Sequence, residues 1–229
     1  MKQNSSRGIL IKSWEAFERY AEKYDAWYEK YKPAYESELL ALKTFIPENP
    51  GILKTLEIGA GTGRFAVPLG IRYGLEPAGS MAKIAEKRGM QVVLGVAEFL
   101  PFKRQSFDLI LIVAALSLFK DPEKALCEAA GVLKPGGQII IGILDRNSLH
   151  GYFYESRKKE GRFSSEAKFL STAEVSGWLI ELGFEEIKAC QTLFKHPEKI
   201  ERIELPQKGS GTGSFAAISA RKTFCGFGD

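Results

Sequence analysis

One stretch, Leu53-Lys54-Thr55-Leu56-Glu57-Ile58-Gly59-Ala60-Gly61-Thr62-Gly63-Arg64-Phe65, constrains the fold of this chain more than any other. A short apolar run carries an acidic residue, Glu57, and glycines at alternate positions then turn the backbone into what reads as a helix start. Strand, glycine-rich loop and helix N-terminus together make a cradle of nucleotide size. Only glycine lets the main chain turn this sharply and approach a ligand with no Cβ in the way.

The rest of the chain must supply the sheet around that loop, and its 229 residues suffice for one domain with a substantial core. Hydrophobic residues at 45% and charged residues at 26% describe an ordinary globular protein. A net charge of +4 spread along the chain is too small a bias to indicate nucleic acid. Cys127, Cys190 and Cys225 have no short spacing, so neither a disulfide framework nor a zinc site is expected, and a reducing cytoplasm fits. No apolar run approaches the roughly 20 residues of a membrane span, and the polar start lacks the apolar segment of a signal peptide.

Residues 1–50 read as an N-terminal helical cap, 51–222 as the main domain and 223–229 as a tail. In the cap, Trp14, Phe17, Tyr20, Tyr24, Trp27, Tyr28 and Tyr31 recur at helical steps, either packing on the body or closing over a ligand. Strand-like and helix-like runs then alternate. Strands are expected over 52–58, 71–76, 91–94, 107–113 and 138–144. Helices are expected over 64–69, after an N-cap at Ser80, after Asp121-Pro122 and after a Ser171/Glu174 capping box. Residues 184–194 and 214–220 read as a closing antiparallel hairpin at the sheet edge, with Gly209-Ser210-Gly211-Thr212-Gly213 as turn material between them. The alternation predicts an α/β doubly wound sheet.

Dinucleotide enzymes want G-x-G-x-x-G, and Arg64 stands at the third glycine here. The pattern of an acidic residue followed by G-x-G-x-G instead resembles the class I S-adenosylmethionine-dependent methyltransferases. Gly74-Leu75-Glu76-Pro77 resembles their second motif, 19 positions after Glu57, and Gly95-Val96-Ala97-Glu98-Phe99-Leu100-Pro101-Phe102 resembles their G-D-A-E-x-L-P-F segment. Ser106-Phe107-Asp108-Leu109-Ile110, Leu133-Lys134-Pro135-Gly136-Gly137 and the pair Tyr24-Asp25 extend the match.

The resemblance implies a Rossmann-like, mostly parallel seven-stranded sheet with an antiparallel final strand, and S-adenosyl-L-methionine as cofactor. It places Glu57 at the cofactor's amino group, Gly59, Ala60, Gly61 and Gly63 along its methionine end, and Glu76 on the ribose hydroxyls. Pro77 and Met81 would flank the adenine, with further contacts at Ala97, Glu98, Ala114 and Tyr24. Val96 replaces the aspartate that takes the adenine amino group, so that recognition falls to backbone near Ala97, to Glu98 or to shape.

Methyl transfer is an in-line displacement in which the protein aligns and desolvates, so a dedicated catalytic residue is not required. Should the acceptor need a base, His150, after the fifth strand, and Tyr24 are the candidates, with His196 behind them and Tyr20 and Tyr28 able to orient an acceptor. No metal site is expected. Residues 145–170 read as a substrate lid or a solvated loop. After the fourth strand, Val113-Ala114-Ala115-Leu116-Ser117-Leu118-Phe119 lacks the D/N-P-P-aromatic turn of enzymes that methylate amino groups of nucleic acid bases, and Cys127 is misplaced for a pyrimidine C5 nucleophile. Three readings follow: methylation of a small-molecule or metabolite acceptor; an RNA or protein methyltransferase; and a cofactor-binding sensor or partner without turnover. The oligomeric state is not legible.

Overall fold

The computed structural model describes residues 14–148, 151–152, 155–156, 159, 161–163 and 165–223. Two cap helices, α1 (Glu15–Lys30) and α2 (Lys32–Lys43), precede the sheet. There follow β1 (Thr55–Ile58), β2 (Tyr73–Glu76), α3 (Gly79–Lys87), β3 (Gln91–Leu94), β4 (Phe107–Val113), α4 (Pro122–Val132) and β5 (Leu133–Leu144). The chain closes with α5 (Thr172–Glu181), β6 (Phe184–Thr192), β7 (Gln207–Lys208) and β8 (Phe215–Lys222). The sheet order is β3-β2-β1-β4-β5-β8-β6-β7. The first five strands are mutually parallel, and β8 runs antiparallel to both β5 and β6.

Local signals fix several elements where the sequence puts them. β3 and β4 have the expected bounds, Asp121 accepts the N–H of Lys124 ahead of Pro122, and Ser171 and Glu174 form a reciprocal capping box. Leu109, Ile110, Leu111 and Ile112 of β4 are wholly buried because both sheet faces are covered. At about 1.5–3 kcal/mol each, they make β4 the strand on which the sheet's register is set. One core joins β4 and β5 to α4 and α5; the other joins the opposite sheet face to Tyr28, Ala34, Ala41 and Leu42 of the cap.

Four expectations change. No α-helix follows the glycine loop among the described residues: Arg64–Leu69 forms turns and a 3-10 turn at Val67–Leu69, because Pro68 has no N–H to give and Gly70 turns left-handed at φ +73°. α3 starts two residues earlier than a Ser80 cap allows, with Ala78 in the N-cap position. The Ser80 hydroxyl donates instead to the carbonyl of Glu18 in α1. Lys134 to Gly137 lies inside β5 as a bulge between the pairs Phe107–Leu133 and Leu109–Gln138. Finally, β6 and β8 pair as expected, but β8 is interior and the eighth strand, β7, forms the edge. The Gly209–Gly213 turn closes the excursion between them, with Gln191 Oε1 accepting the N–H groups of Thr212 and Gly213.

Candidate active site

The carboxyl ends of β1, β2 and β4 meet at the glycine loop. The N–H groups of Gly59 and Ala60 both donate to the Leu75 carbonyl, at 2.8 and 3.0 Å, which ties the loop to β2. A Cβ on Gly59 would lie 2.5 Å from that of Ala115, and its φ is +75°. Gly63 packs against Ala85 and Met90 instead of facing the site.

Glu57 is 1% exposed, and its Oε2 has no hydrogen-bond partner. Burial drives its carboxyl well above the usual range; a backbone bond from Ala66 opposes this and the charge of Glu76 adds to it. Beside Glu57 is a cavity of about 20 Å³ lined by Tyr24, Tyr28, Arg64, Phe65, Val113 and the loop from Gly59 to Thr62. That space holds one water-sized group. An orphaned carboxylate oxygen against it fits an ammonium, the amino end of the expected cofactor.

Glu76 is also buried, its Oε2 accepting the Gly61 N–H at 2.8 Å and its Oε1 the Ala78 N–H at 2.9 Å. Burial pushes it up to about 6 against those two bonds. Each oxygen keeps a further lone pair for a hydroxyl. Met81, buried with Ala78, Phe17 and Ala21, brings its methyl near Gly61, and Pro77 is half-buried beside them. Ala97 is buried while Val96 is exposed. Glu98 is turned to the entrance of α4, where its Oε1 accepts from the N–H groups of Lys120 and Asp121 at 2.8 and 3.2 Å. Ala114 closes β4 with φ +52°, its N–H bonded to the Gly142 carbonyl.

The cap completes the site. Tyr24 and Tyr28 share a hydrogen bond of 2.7 Å, and burial raises both hydroxyls. Phe17, Tyr24 and Phe163 make mutual ring contacts with centroids 5.1–5.4 Å apart. Asp25 accepts from the Thr62 hydroxyl at 2.6 Å, from Arg64 at 2.9 and 2.7 Å, and from Arg88 at 2.7 and 2.6 Å. Burial alone would raise this carboxyl, but the bonds from Arg64, Arg88 and Thr62 hold it far below the usual range. Arg88 also donates to the Thr62 carbonyl, so α1, the loop and the end of α3 share one hub.

Sequence reasoning noticed Tyr24-Asp25 as a pair but assigned Asp25 no partners, because Arg64 and Arg88 lie 39 and 63 positions away. It passed over the buried Glu38 altogether. His150 and seven other residues of the expected lid, 145–170, lie outside the described residues. His196 starts a 3-10 turn, Pro197–Lys199, where its ring accepts the Glu198 N–H. Among the described residues, no group of three His, Cys, Asp or Glu is placed to hold a metal, and no helix is long and apolar enough to cross a membrane.

Residues 56–141 match a family described as a methyltransferase domain. A solved SAM-dependent methyltransferase from Thermotoga maritima, described as a possible histamine N-methyltransferase, superposes with a TM-score of 0.87 at 46% identity, covering 92% of this chain and 100% of that one. The chain belongs to the S-adenosylmethionine-dependent methyltransferases. S-adenosylmethionine is therefore its cofactor and methyl transfer its reaction class. An uncharacterized Methanocaldococcus jannaschii protein is 48% identical over 206 residues, 90% of this methyltransferase and 98% of that protein. A probable tRNA methyltransferase 9B of mouse is 31% identical over 128 residues, 52% of this chain and 25% of its own length.

Proposed function

We propose that this methyltransferase acts on a small-molecule acceptor. The observation that carries the reading is the roof: Tyr24 and Tyr28 of α1 lie over the glycine loop and Val113 and leave about 20 Å³ beside Glu57, with Phe17 and Phe163 packed on Tyr24 from outside. Such a site suits an acceptor that is swallowed whole, whereas a polymer needs an open groove. The absence of a D/N-P-P-aromatic turn after Val113 and the description of the Thermotoga relative support the same reading.

In this reading Glu57 holds the cofactor's amino group, Glu76 its ribose hydroxyls and the Gly59–Gly63 loop its methionine end, with Tyr24 and Tyr28 above. When bound, S-adenosylmethionine supplies an electrophilic methyl group on sulfur. The chain contributes alignment, exclusion of water and, where the acceptor arrives protonated, a base.

The second reading, an RNA acceptor, is favoured by the name of the mouse relative. Isotope-labelled S-adenosylmethionine offered with a cell metabolite fraction, total RNA and total protein separates the two. Label in the metabolite fraction alone is expected; label in RNA or protein alone overturns the proposal.

A further inference from the structure

The cap carries a second buried carboxylate that the cofactor does not use. Glu38, on α2, is 6% exposed and has neither a hydrogen bond nor an ion pair among the described residues. A carboxyl this little exposed is costly to ionise until a cation partners it. The cations that could reach this part of the cap are committed elsewhere: Arg64 to Asp25 and Glu29, Arg88 to Asp25.

Its place in the fold says what kind of partner is missing. α2 begins at the carboxyl edge of the sheet, where Ser37 accepts the Glu204 N–H at 2.8 Å from the segment after β6. It ends toward the opposite edge, where Phe45 accepts from the Gln138 side chain at the start of the β5 ladder. Glu38 therefore lies at the end where ligands bind in doubly wound sheets. Its charge acts on the hydroxyls of Tyr24, Tyr28 and Tyr35, and the first two line the Glu57 cavity. Glu57 and Glu38 thus both act on one tyrosine pair, and the cofactor brings only one ammonium.

We propose that Glu38 is the acceptor-binding carboxylate and that the acceptor is a protonated amine. This rests on the small-molecule reading above. Glu38 pairs with the acceptor's ammonium and takes one of its protons, leaving a nitrogen lone pair. That pair forms the bond to the methyl carbon as the carbon–sulfur bond breaks and its electrons go to sulfur. The product is the N-methylated ammonium, and the removed proton resides on Glu38. The tyrosine rings suit a cation in the same space.

The test is calorimetry in saturating S-adenosylhomocysteine, with phenethylamine and ethanolamine as probes against the neutral phenethyl alcohol and ethylene glycol. Wild-type protein should prefer an amine to its neutral counterpart by about 30-fold, the range of a charge-assisted hydrogen bond. Glu38→Gln should reduce that preference to within about threefold while S-adenosylhomocysteine affinity is kept. Glu38→Met, which fills the same volume without charge, is read in the same way should the glutamine variant not fold. Wild-type protein that binds S-adenosylhomocysteine but shows no amine preference overturns the proposal, as does a preference that survives in either variant. Wild-type protein that binds no S-adenosylhomocysteine would overturn the cofactor assignment itself, a separate outcome.

Discussion

Glu57 and Glu38 carry opposite lessons about a buried carboxylate. Glu57 sits where a strand end and a glycine loop hold it, its unpartnered oxygen beside a cavity, and that is the place proposed for the cofactor's ammonium. Glu57→Gln keeps the shape but loses the charge, and S-adenosylhomocysteine binding by calorimetry should weaken about 10–100-fold. Unchanged affinity would remove Glu57 from the site. For Glu38 the linkage with pH is informative, because burial pushes its carboxyl up to about 8 from 4.5. The folded state holds this proton more tightly than the unfolded chain, so its contribution to stability is intact below about 4.5 and is lost as pH rises through about 8. The full swing is at most about 4–5 kcal/mol. Glu38→Gln should melt like wild type at acid pH and several degrees higher at alkaline pH, at about 2–4 °C per kcal/mol. Parallel melting curves across that range for the two proteins would refute it.

At the level of elements, Asp25 holds α1 on the glycine loop, and its pairs with Arg64 and Arg88 are mostly shielded from water. Asp25→Asn should lower stability by about 2–3 kcal/mol, less than a fully buried pair because some solvent reaches it. Hydrogen exchange should show α1 and the loop loosening together, with α4 and α5 unaffected. Uniform loosening would mean that Asp25 only adds global stability. The contrast with Ser171 shows why some elements were legible and others not. Its capping box is written within four residues, and Ser171→Ala should cost about 1 kcal/mol. Asp121 before Pro122, the apolar run of β4 and the glycine loop are equally local. Ser80 looked like a cap, yet its hydroxyl is used by Glu18 from a helix far away in sequence. The insertion of β8 between β5 and β6 is likewise a product of long-range pairing that no local pattern encodes. For the same reason Glu57, Glu76 and the glycines are picked out by a family resemblance carried on short local motifs, while the Asp25 hub and the burial of Glu38 depend on what the fold brings near.

For the whole molecule, the geometry of the cap sets how ligands enter. α1 is fastened by the Asp25 hub, by Ser80 against Glu18 and by Phe163 against Phe17 and Tyr24. The space beside Glu57, about 20 Å³, takes one water-sized group, and the expected course is that the cap moves before a cofactor with an adenosine and a methionine arm enters. Opening then precedes binding, and the rate of association cannot exceed the rate of opening. Trp14 and Trp27 lie at the start of α1 and within it, and Trp27 touches Tyr28 and Tyr31, which gives a fluorescence signal at the moving part. In stopped-flow mixing, the observed rate should level off as S-adenosylhomocysteine increases. In Asp25→Asn the plateau should rise by about 30-fold if the lost hub is worth about 2 kcal/mol. A rate that stays linear in ligand concentration would mean that the cap does not gate entry. An unchanged plateau in the variant would move the latch from Asp25 to the aromatic contacts of Phe163, where Phe163→Ala would then raise it.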